Sequence, residues 1–136
     1  MPHALLKNPA AGDSLFGLVK HVSQSKMNEF AAVTGSVNAI HLDPSFAEKT
    51  SFGATLSPGT LLLGYISEML VNNFGSRWNP GGEMEVKLIA PAVEGYTVVV
   101  GGSVRDVAGG DGGTITCDIW VKNHDDRLLI IGTAVL

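Results

Sequence analysis

A run of polar residues between two helix-like segments has the composition of a catalytic loop. Residues 34–44 read TGSVNAIHLDP and place Ser36, Asn38, His41 and Asp43 close together in the chain. Histidine is the side chain best suited to move a proton near neutral pH, because its unperturbed pKa is about 6.5. Asn38 could orient a water molecule or only hold the loop by turn hydrogen bonds. A lone histidine is more often structural than catalytic, so the residues of this loop alone leave open whether His41 transfers protons or only supports a well-capped turn.

A second candidate site lies where the long apolar segment SPGTLLLGYISEMLVNNFG begins. The first amides of a helix have no partner within the helix, and the helix dipole favours negative charge there. Pro58 cannot donate, so Gly59 and Thr60 are the predicted donors to a developing oxyanion, a contact that commonly contributes about 2.7–4 kcal/mol. The alternative is that this tripeptide only starts the helix, with Ser57 as its cap and Pro58 in its first position.

The other reactive residue types do not form patterns for metal, disulfide or phosphate chemistry. The four histidines show no ligand spacing, and the single cysteine, Cys117, excludes an intrachain disulfide and a cysteine-built metal site. No G-x-S-x-G sequence is present, and the glycines of AGGDGG precede a strand rather than a helix. The nine basic residues are scattered in a chain of net charge −4, which argues against nucleic-acid binding.

Helical periodicity and capping residues predict the elements around the two candidate sites. A strand is predicted in residues 15–23 and a short helix in the segment that Gly35 ends. Asp43 and Pro44 predict the start of a second short helix, which runs to about Lys49, and residues 36–42 between the two helices are predicted to be a loop. The long segment is predicted to be a buried helix that ends at Gly75, with an apolar stripe formed by Leu62, Ile66, Met69, Leu70 and Phe74. Arg77 and Trp78 follow in a predicted surface loop.

The second half of the chain is predicted to form strands. EMEVKLIA, YTVVVGGSVRDV, TITCDIWVKN and RLLIIGTAVL are rich in β-branched residues, and AGGDGG and NHDD are predicted turns in an antiparallel meander. The 136 residues suit one domain, and the element order predicts an α+β fold in which an antiparallel sheet wraps around one long central helix. No apolar run is long enough to span a bilayer and the N-terminal residues do not resemble a signal peptide, so a soluble cytoplasmic protein is expected.

Several of these segments, in this order, resemble a known family. Gly12-Asp13, FAAVTG, NAIHLDPSFAEKTSFG, SPGTLLLGYIS and KLIAPAVEGYTVVVGGSV together are similar to the MaoC-like or (R)-specific enoyl-CoA hydratases, and the resemblance runs almost from end to end. It implies a single hotdog domain over residues 1–136. It also implies that His41 is the catalytic histidine, that Asn38 is the loop asparagine, that the Gly59 amide polarises a thioester carbonyl, and that Ser67 supports the site.

The chain departs from the family pattern at two important positions. Ser36 stands where the family has the catalytic aspartate, and Pro58 stands where it has a histidine before the glycine. A serine hydroxyl without assistance cannot serve as a base near neutral pH, although Ser36 could position a water molecule. Asp43 is an unsuitable substitute because its capping role would make it a weaker base. Glu68, on the long helix, is expected at a solvated edge.

The resemblance implies an acyl-thioester lyase that hydrates an enoyl thioester or dehydrates a 3-hydroxyacyl thioester carried by CoA or by a carrier protein. It implies no cofactor apart from this thioester substrate, and the scattered basic residues and short apolar runs lead us to expect no nucleic-acid or membrane partner. Hotdog domains usually pair side by side, and the low charge content, 16%, agrees with a homodimer. The absent aspartate leaves two alternatives open: a thioesterase or isomerase that keeps His41 and the oxyanion site, and a non-catalytic acyl-CoA-binding subunit.

Overall fold

A computed structural model describes residues 5–110 and 113–136. Within these residues, one antiparallel sheet of five strands packs against one long helix, which confirms the predicted α+β class. The predicted turn AGGDGG includes Asp111 and Gly112, which lie outside the described residues. In chain order the elements are β1 (Leu18–His21), α1 (Gln24–Thr34), α2 (Ala39–Leu42), α3 (Pro44–Glu48), α4 (Gly59–Phe74), a 3-10 turn (Gly75–Arg77), β2 (Glu83–Leu88), β3 (Thr97–Ala108), β4 (Thr114–Asn123) and β5 (Leu128–Val135).

The order of strands across the sheet is β1-β3-β4-β5-β2, with every neighbouring pair antiparallel. The prediction of a four-stranded meander was therefore wrong for β2, which pairs with β5 instead of β3. The connection between β2 and β3 is held elsewhere, because Ala92 and Glu94 form backbone hydrogen bonds with the segment that leads into α4. Only β3, β4 and β5 form a meander.

Helix α4 supplies the centre of the hydrophobic core. All five residues of its predicted stripe are buried, and they belong to one apolar cluster with buried side chains of β3, β4 and β5. Complete burial of a side chain of this size contributes roughly 1.5–3 kcal/mol. The stripe therefore accounts for a large share of the free energy that holds the helix in the fold of the sheet.

Most of the predicted helix ends are confirmed. Gly35 has φ 77° at the end of α1, a left-handed conformation that favours glycine, and Gly75 ends α4 with φ 59°. The Asp43 carboxylate accepts hydrogen bonds from the amides of Ser45 and Phe46 at 3.0 and 3.2 Å, which starts α3 as predicted.

Two local predictions were wrong. Residues 36–42 are not only a loop, because Ala39–Leu42 form the short helix α2, capped by Asn38. Ser57 does not cap α4, and Pro58 is not its first residue. The Ser57 hydroxyl donates to the carbonyl of Pro58 at 3.1 Å, and the helix begins at Gly59, with Pro58 in the cap position and no side-chain cap. The rigid ring of Pro58 fixes the backbone just before the helix, so a capping side chain is not needed to set its direction.

Asn73, near the end of α4, makes side-chain hydrogen bonds that the sequence does not suggest. Its Oδ1 accepts from the Phe16 amide at 2.8 Å, and its Nδ2 donates to the carbonyls of Phe16 and Met69 at 2.9 and 2.8 Å. The side chain is 0% exposed. Asn73 thus pairs with the backbone before β1 as a neighbouring strand would, and it attaches that segment to the central helix.

Candidate active site

His41 lies on α2 with its ring held in one orientation. Its Nδ1 is 2.7 Å from the carbonyl oxygen of Leu56. A carbonyl oxygen can only accept a hydrogen bond, so Nδ1 carries the hydrogen and the neutral ring leaves Nε2 with a free lone pair. The backbone of Leu56 therefore selects the form of His41 that can accept a proton at Nε2.

The segment that holds His41 is fixed on both of its edges. The amide of Leu56 donates to Ile40 at 3.0 Å, so both polar backbone groups of Leu56 face α2. On the opposite edge, Ser57 donates to Ala92 and Glu94 donates to the carbonyl of Thr55, both at 2.8 Å. Residues 55–57 therefore act as a narrow strip between α2 and the β2–β3 connection, and they lead directly into α4.

The N-terminus of α4 offers two unused backbone donors. Leu61 donates to Pro58 at 3.1 Å, whereas the amides of Gly59 and Thr60 donate no hydrogen bond within residues 5–110 and 113–136. A Cβ atom placed at Gly59 would lie 3.1 Å from Cδ1 of Leu88. Glycine therefore lets a ligand approach the Gly59 amide without displacement of the Leu88 side chain. Two free amides at a helix N-terminus can bind a carbonyl oxygen that gains negative charge.

A cavity of about 310 Å³ opens beside these amides. Its wall consists of Ser57, Gly59, Leu62, Leu88, Ile130 and residues 89–92. His41 does not line this cavity, because Leu56 directs its polar groups to the α2 side of the strip whereas Ser57 and residues 89–92 lie on the other side. The mainly apolar wall suits a hydrocarbon chain, and the imidazole is bound to Leu56 on the opposite side of the strip.

Three other side chains that the sequence associates with the site have positions of their own. Asn38 is exposed, and its Oδ1 accepts from the amide of Ile40 at 3.0 Å, so its observed contact is the turn hydrogen bond. Ser36 is half-buried, and among the described residues its hydroxyl forms no hydrogen bond with His41. The hydroxyl of Ser67 accepts from the indole nitrogen of Trp78 at 2.9 Å.

Three carboxylates that the sequence analysis names are occupied elsewhere. Asp43 caps α3, and Asp13 accepts from the amide of Ala10 at 2.9 Å. Glu68 forms an ion pair with Lys20 at 3.0 Å and is half exposed, which confirms its predicted place at a solvated edge. In the part of the chain that the structure describes, no carboxylate forms a hydrogen bond with His41.

Burial favours the protonated form of two further reactive side chains. Cys117 is 0% exposed, and burial raises the pKa of its thiol to about 11, which disfavours the nucleophilic thiolate at neutral pH. Burial also raises the pKa of the Tyr65 hydroxyl, although the nearby Lys20 partly opposes this effect. No group of three or more histidine, cysteine, aspartate or glutamate side chains that could hold a metal ion occurs within the described ranges.

Sequence reasoning placed Trp78 wrongly and missed Gln24. Trp78 was predicted in a surface loop but is only 7% exposed, because its ring packs into the apolar core and its indole nitrogen reaches Ser67. Gln24, the first residue of α1, donates from its side-chain amide to the carbonyl of His41 at 2.9 Å. A glutamine at a helix start carries no signal of its own, so only the fold reveals this contact.

A groove of about 720 Å³ is not part of this site. It lies on the face of the sheet that points away from α4 and includes Trp120, Ile131, Arg105 and Asp118. Arg105 and Asp118 form an ion pair there, and Glu85, Lys87 and Lys122 also line the groove. The groove shares no residue with the cavity at Gly59. None of the described helices is long and apolar enough to cross a membrane.

Comparison with known proteins relates this chain to a family. Residues 9–123 match the family model named "MaoC like domain". A curated relative, the 3-hydroxybutyryl-CoA dehydratase of Methylorubrum extorquens, is 42% identical over 53 residues, which are 39% of this chain and only 34% of that protein. The alignment thus spans about a third of the length of this relative.

Solved structures with low sequence identity share the fold. The (R)-hydratase from A. caviae superimposes with a TM-score of 0.82 at 23% identity, over 95% of this chain and 96% of the hydratase. A chain of the ChsH1-ChsH2 complex from Mycobacterium tuberculosis gives a TM-score of 0.75 at 18% identity, over 93% of this chain and 95% of that one. Because the family model covers most of the chain and the architecture is that of these structures, the chain belongs to the MaoC-like domain family and has the hotdog fold.

Proposed function

We propose that this protein is an acyl-thioester lyase that adds water to an enoyl thioester, or removes it from the 3-hydroxyacyl thioester. One observation carries the proposal: the strip of residues 55–57 holds Nδ1 of His41 and leads, three residues after Leu56, into the two unused amides of Gly59 and Thr60. The dehydratase of M. extorquens and the (R)-hydratase from A. caviae support the choice of reaction.

In the proposed mechanism the thioester oxygen accepts hydrogen bonds from Gly59 and Thr60. Nε2 of His41 takes a proton from a water molecule as the hydroxyl group bonds to the β-carbon. The electron pair of the double bond moves to the α-carbon and the carbonyl, and the two amides stabilise the resulting enolate oxygen. The protonated ring then returns a proton to the α-carbon. One imidazole thus completes a net addition of water, and Nδ1 stays bonded to Leu56 throughout.

In this proposal the apolar part of the substrate lies in the cavity at Gly59, and the thioester passes the start of α4 so that its β-carbon reaches the His41 side of the strip. Leu62, Leu88 and Ile130 form an apolar wall next to the proposed oxyanion donors. Ser36 is half-buried on the loop before α2 and, in this proposal, holds the attacking water molecule instead of accepting its proton. We propose CoA or a carrier protein as the other part of the thioester.

The direct test is to mix the purified protein with short enoyl-CoA thioesters. The absorbance of the conjugated thioester should fall while a 3-hydroxyacyl thioester forms, and no free thiol should appear. Release of free thiol without hydration would support the thioesterase alternative. Tight binding of acyl-CoA without turnover would support a non-catalytic subunit, and either result would contradict the proposed lyase.

Replacement of Ser36 by aspartate should raise the hydration rate. A carboxylate at this position could share the work of a base with His41, and a general base commonly contributes about 10²–10⁴-fold, so we expect an increase of at least tenfold in kcat. Ser36→Ala is the matched variant and should lower kcat only a fewfold, because it removes a water contact and not a base. An aspartate variant no faster than the wild type would show that Ser36 does not occupy the position of the base.

We also propose that two copies pair through β2, which is an edge strand of the sheet. Ile89, just after β2, donates to Leu129 at 2.8 Å, and alternation along a strand then directs the polar backbone groups of Met84, Val86 and Leu88 to the free edge. Such a row of unpaired donors and acceptors is a template for another strand.

The sequence of β2 favours one register for this pairing. If a two-fold axis passes through Val86, Glu85 lies opposite Lys87 of the partner subunit on the outer face, and Met84 lies opposite the partner's Leu88 on the core face. Centring the pair on residue 85 or 87 would instead place identical charges opposite each other, which is unfavourable. The charges and the apolar side chains therefore agree on the same register.

Charge reversal at β2 tests this register. Lys87→Glu should weaken the dimer by roughly 2 kcal/mol, about thirtyfold in the dissociation constant, because two attractive pairs become repulsive. The exchanged double variant Glu85→Lys/Lys87→Glu should restore most of the affinity. Sedimentation over a dilution series measures both, and Lys49→Glu, on an exposed residue after α3, controls for net charge. A dimer equally stable in all three variants would exclude this interface.

A further inference from the structure

We infer that Gln24 is a positioning residue for His41 and that Thr55 holds Gln24 in place. The inference rests on the proposed function and extends it to residues outside the family motifs. The side-chain nitrogen of Gln24 donates to the backbone carbonyl of His41 at 2.9 Å, and its side-chain oxygen accepts from the hydroxyl of Thr55 at 2.6 Å. Gln24 therefore joins the start of α1 both to the catalytic segment and to the strip that leads into α4.

The orientation of the Gln24 amide follows from its partners. The carbonyl of His41 can only accept, so the nitrogen of the amide must face it, and the oxygen must then face Thr55. The same nitrogen also donates to Oδ1 of Asn28, an exposed residue one turn along α1, at 3.0 Å. Two of the three hydrogen bonds thus reach other segments, and the third stays within α1.

These contacts form a closed loop of hydrogen bonds that includes His41. Gln24 binds the carbonyl of His41, the ring of His41 binds the carbonyl of Leu56, and the neighbouring residue Thr55 binds Gln24. A shift of α2 along the strip would have to break at least one of these bonds. Since the strip continues into α4, this loop of hydrogen bonds sets the position of Nε2 of His41 relative to the amides of Gly59 and Thr60.

Burial makes the Thr55 contact difficult to replace by water. Thr55 is 2% exposed, so its hydroxyl has no ready partner besides Gln24. If that hydroxyl is removed, the side-chain oxygen of Gln24 loses its hydrogen-bond donor and the amide is free to rotate away from His41. A misplacement of catalytic groups by about 1 Å can cost on the order of 10²-fold in rate, so a residue that never touches the substrate can have a large effect.

The experiment combines kinetics with the nitrogen spectrum of the imidazole ring. Thr55→Val and Gln24→Met each break the loop of hydrogen bonds with little change in side-chain volume. As controls, Thr55→Ser keeps the hydroxyl, and Asn28→Ala removes only the hydrogen bond within α1. Nitrogen NMR of the neutral ring, assigned by the signals that His41→Gln lacks, reports which ring nitrogen carries the hydrogen. The same proteins are assayed for hydration of an enoyl-CoA thioester.

For Thr55→Val and Gln24→Met we expect a mixture of the two ring forms, and a kcat that is about tenfold to a hundredfold lower with KM within about twofold. Wild type, Thr55→Ser and Asn28→Ala should keep the hydrogen on Nδ1 and keep kcat within about twofold of each other. Folded Thr55→Val and Gln24→Met proteins that retain the Nδ1–H form and full kcat would overturn the inference. If the wild type shows no turnover, the proposed function fails, yet the ring spectra still decide whether Gln24 and Thr55 position His41.

Discussion

The variant His41→Gln should lose hydration activity by about 10²–10⁴-fold, the usual contribution of a general acid–base group. Glutamine is similar in length and can still donate a hydrogen bond to the carbonyl of Leu56. It has no group that accepts a proton from water and returns it to carbon. Because the ring of His41 is only half-buried, the substitution should change the thermal midpoint by no more than a few degrees.

Rates with an enoyl-CoA thioester and a melting curve on the same preparation check this expectation. His21→Gln is the matched control, because His21 is exposed and its Nδ1 makes one long contact, of 3.5 Å, with the hydroxyl of Thr97. This control should keep full activity. A His41→Gln protein that retains more than about a tenth of the wild-type rate would show that another group moves the proton, and the proposed mechanism would have to be abandoned.

The parts of the fold that the sequence predicts well depend on neighbours within one or two turns. The caps at Asp43 and Gly35 involve backbone groups within four residues, and the stripe of α4 repeats at helical spacing. Such local patterns carry their own physical reason. The position of β2 beside β5 has no local cause, because it depends on where the β2–β3 connection is held by residues 55–57.

The candidate site shows the same division between local and distant effects. The types and spacing of residues indicated His41 and the amides of Gly59 and Thr60, and the roles of these residues remain predictions that the proposed assays test. The bond between His41 and Leu56 joins residues 15 positions apart, and the bond between Gln24 and Thr55 joins residues 31 positions apart. No periodicity connects such pairs, so only the folded chain shows what sets the orientation of the imidazole.

The second large effect is expected at Asn73 and concerns stability. Asn73→Leu keeps a similar volume but leaves the amide and carbonyl of Phe16 without their partner. Each unsatisfied polar group in a part-buried place costs roughly 1–3 kcal/mol, so we expect a loss of about 2–4 kcal/mol in the free energy of unfolding. For a domain of this size that corresponds to a decrease of roughly 10 °C in the thermal midpoint.

Urea unfolding and thermal melting measure the loss, and the adjacent Asn72→Ala serves as the matched control. Asn72 is only half-buried, so its substitution should change stability by no more than about 0.5 kcal/mol. The two variants differ in outcome only if the strand-like pairing of Asn73 with Phe16 is formed in solution. Equal stability of Asn73→Leu and Asn72→Ala would mean that the segment before β1 is held by its apolar contacts alone. A selective loss would show that a single buried amide fixes the start of the sheet to the helix whose other end carries the proposed oxyanion site.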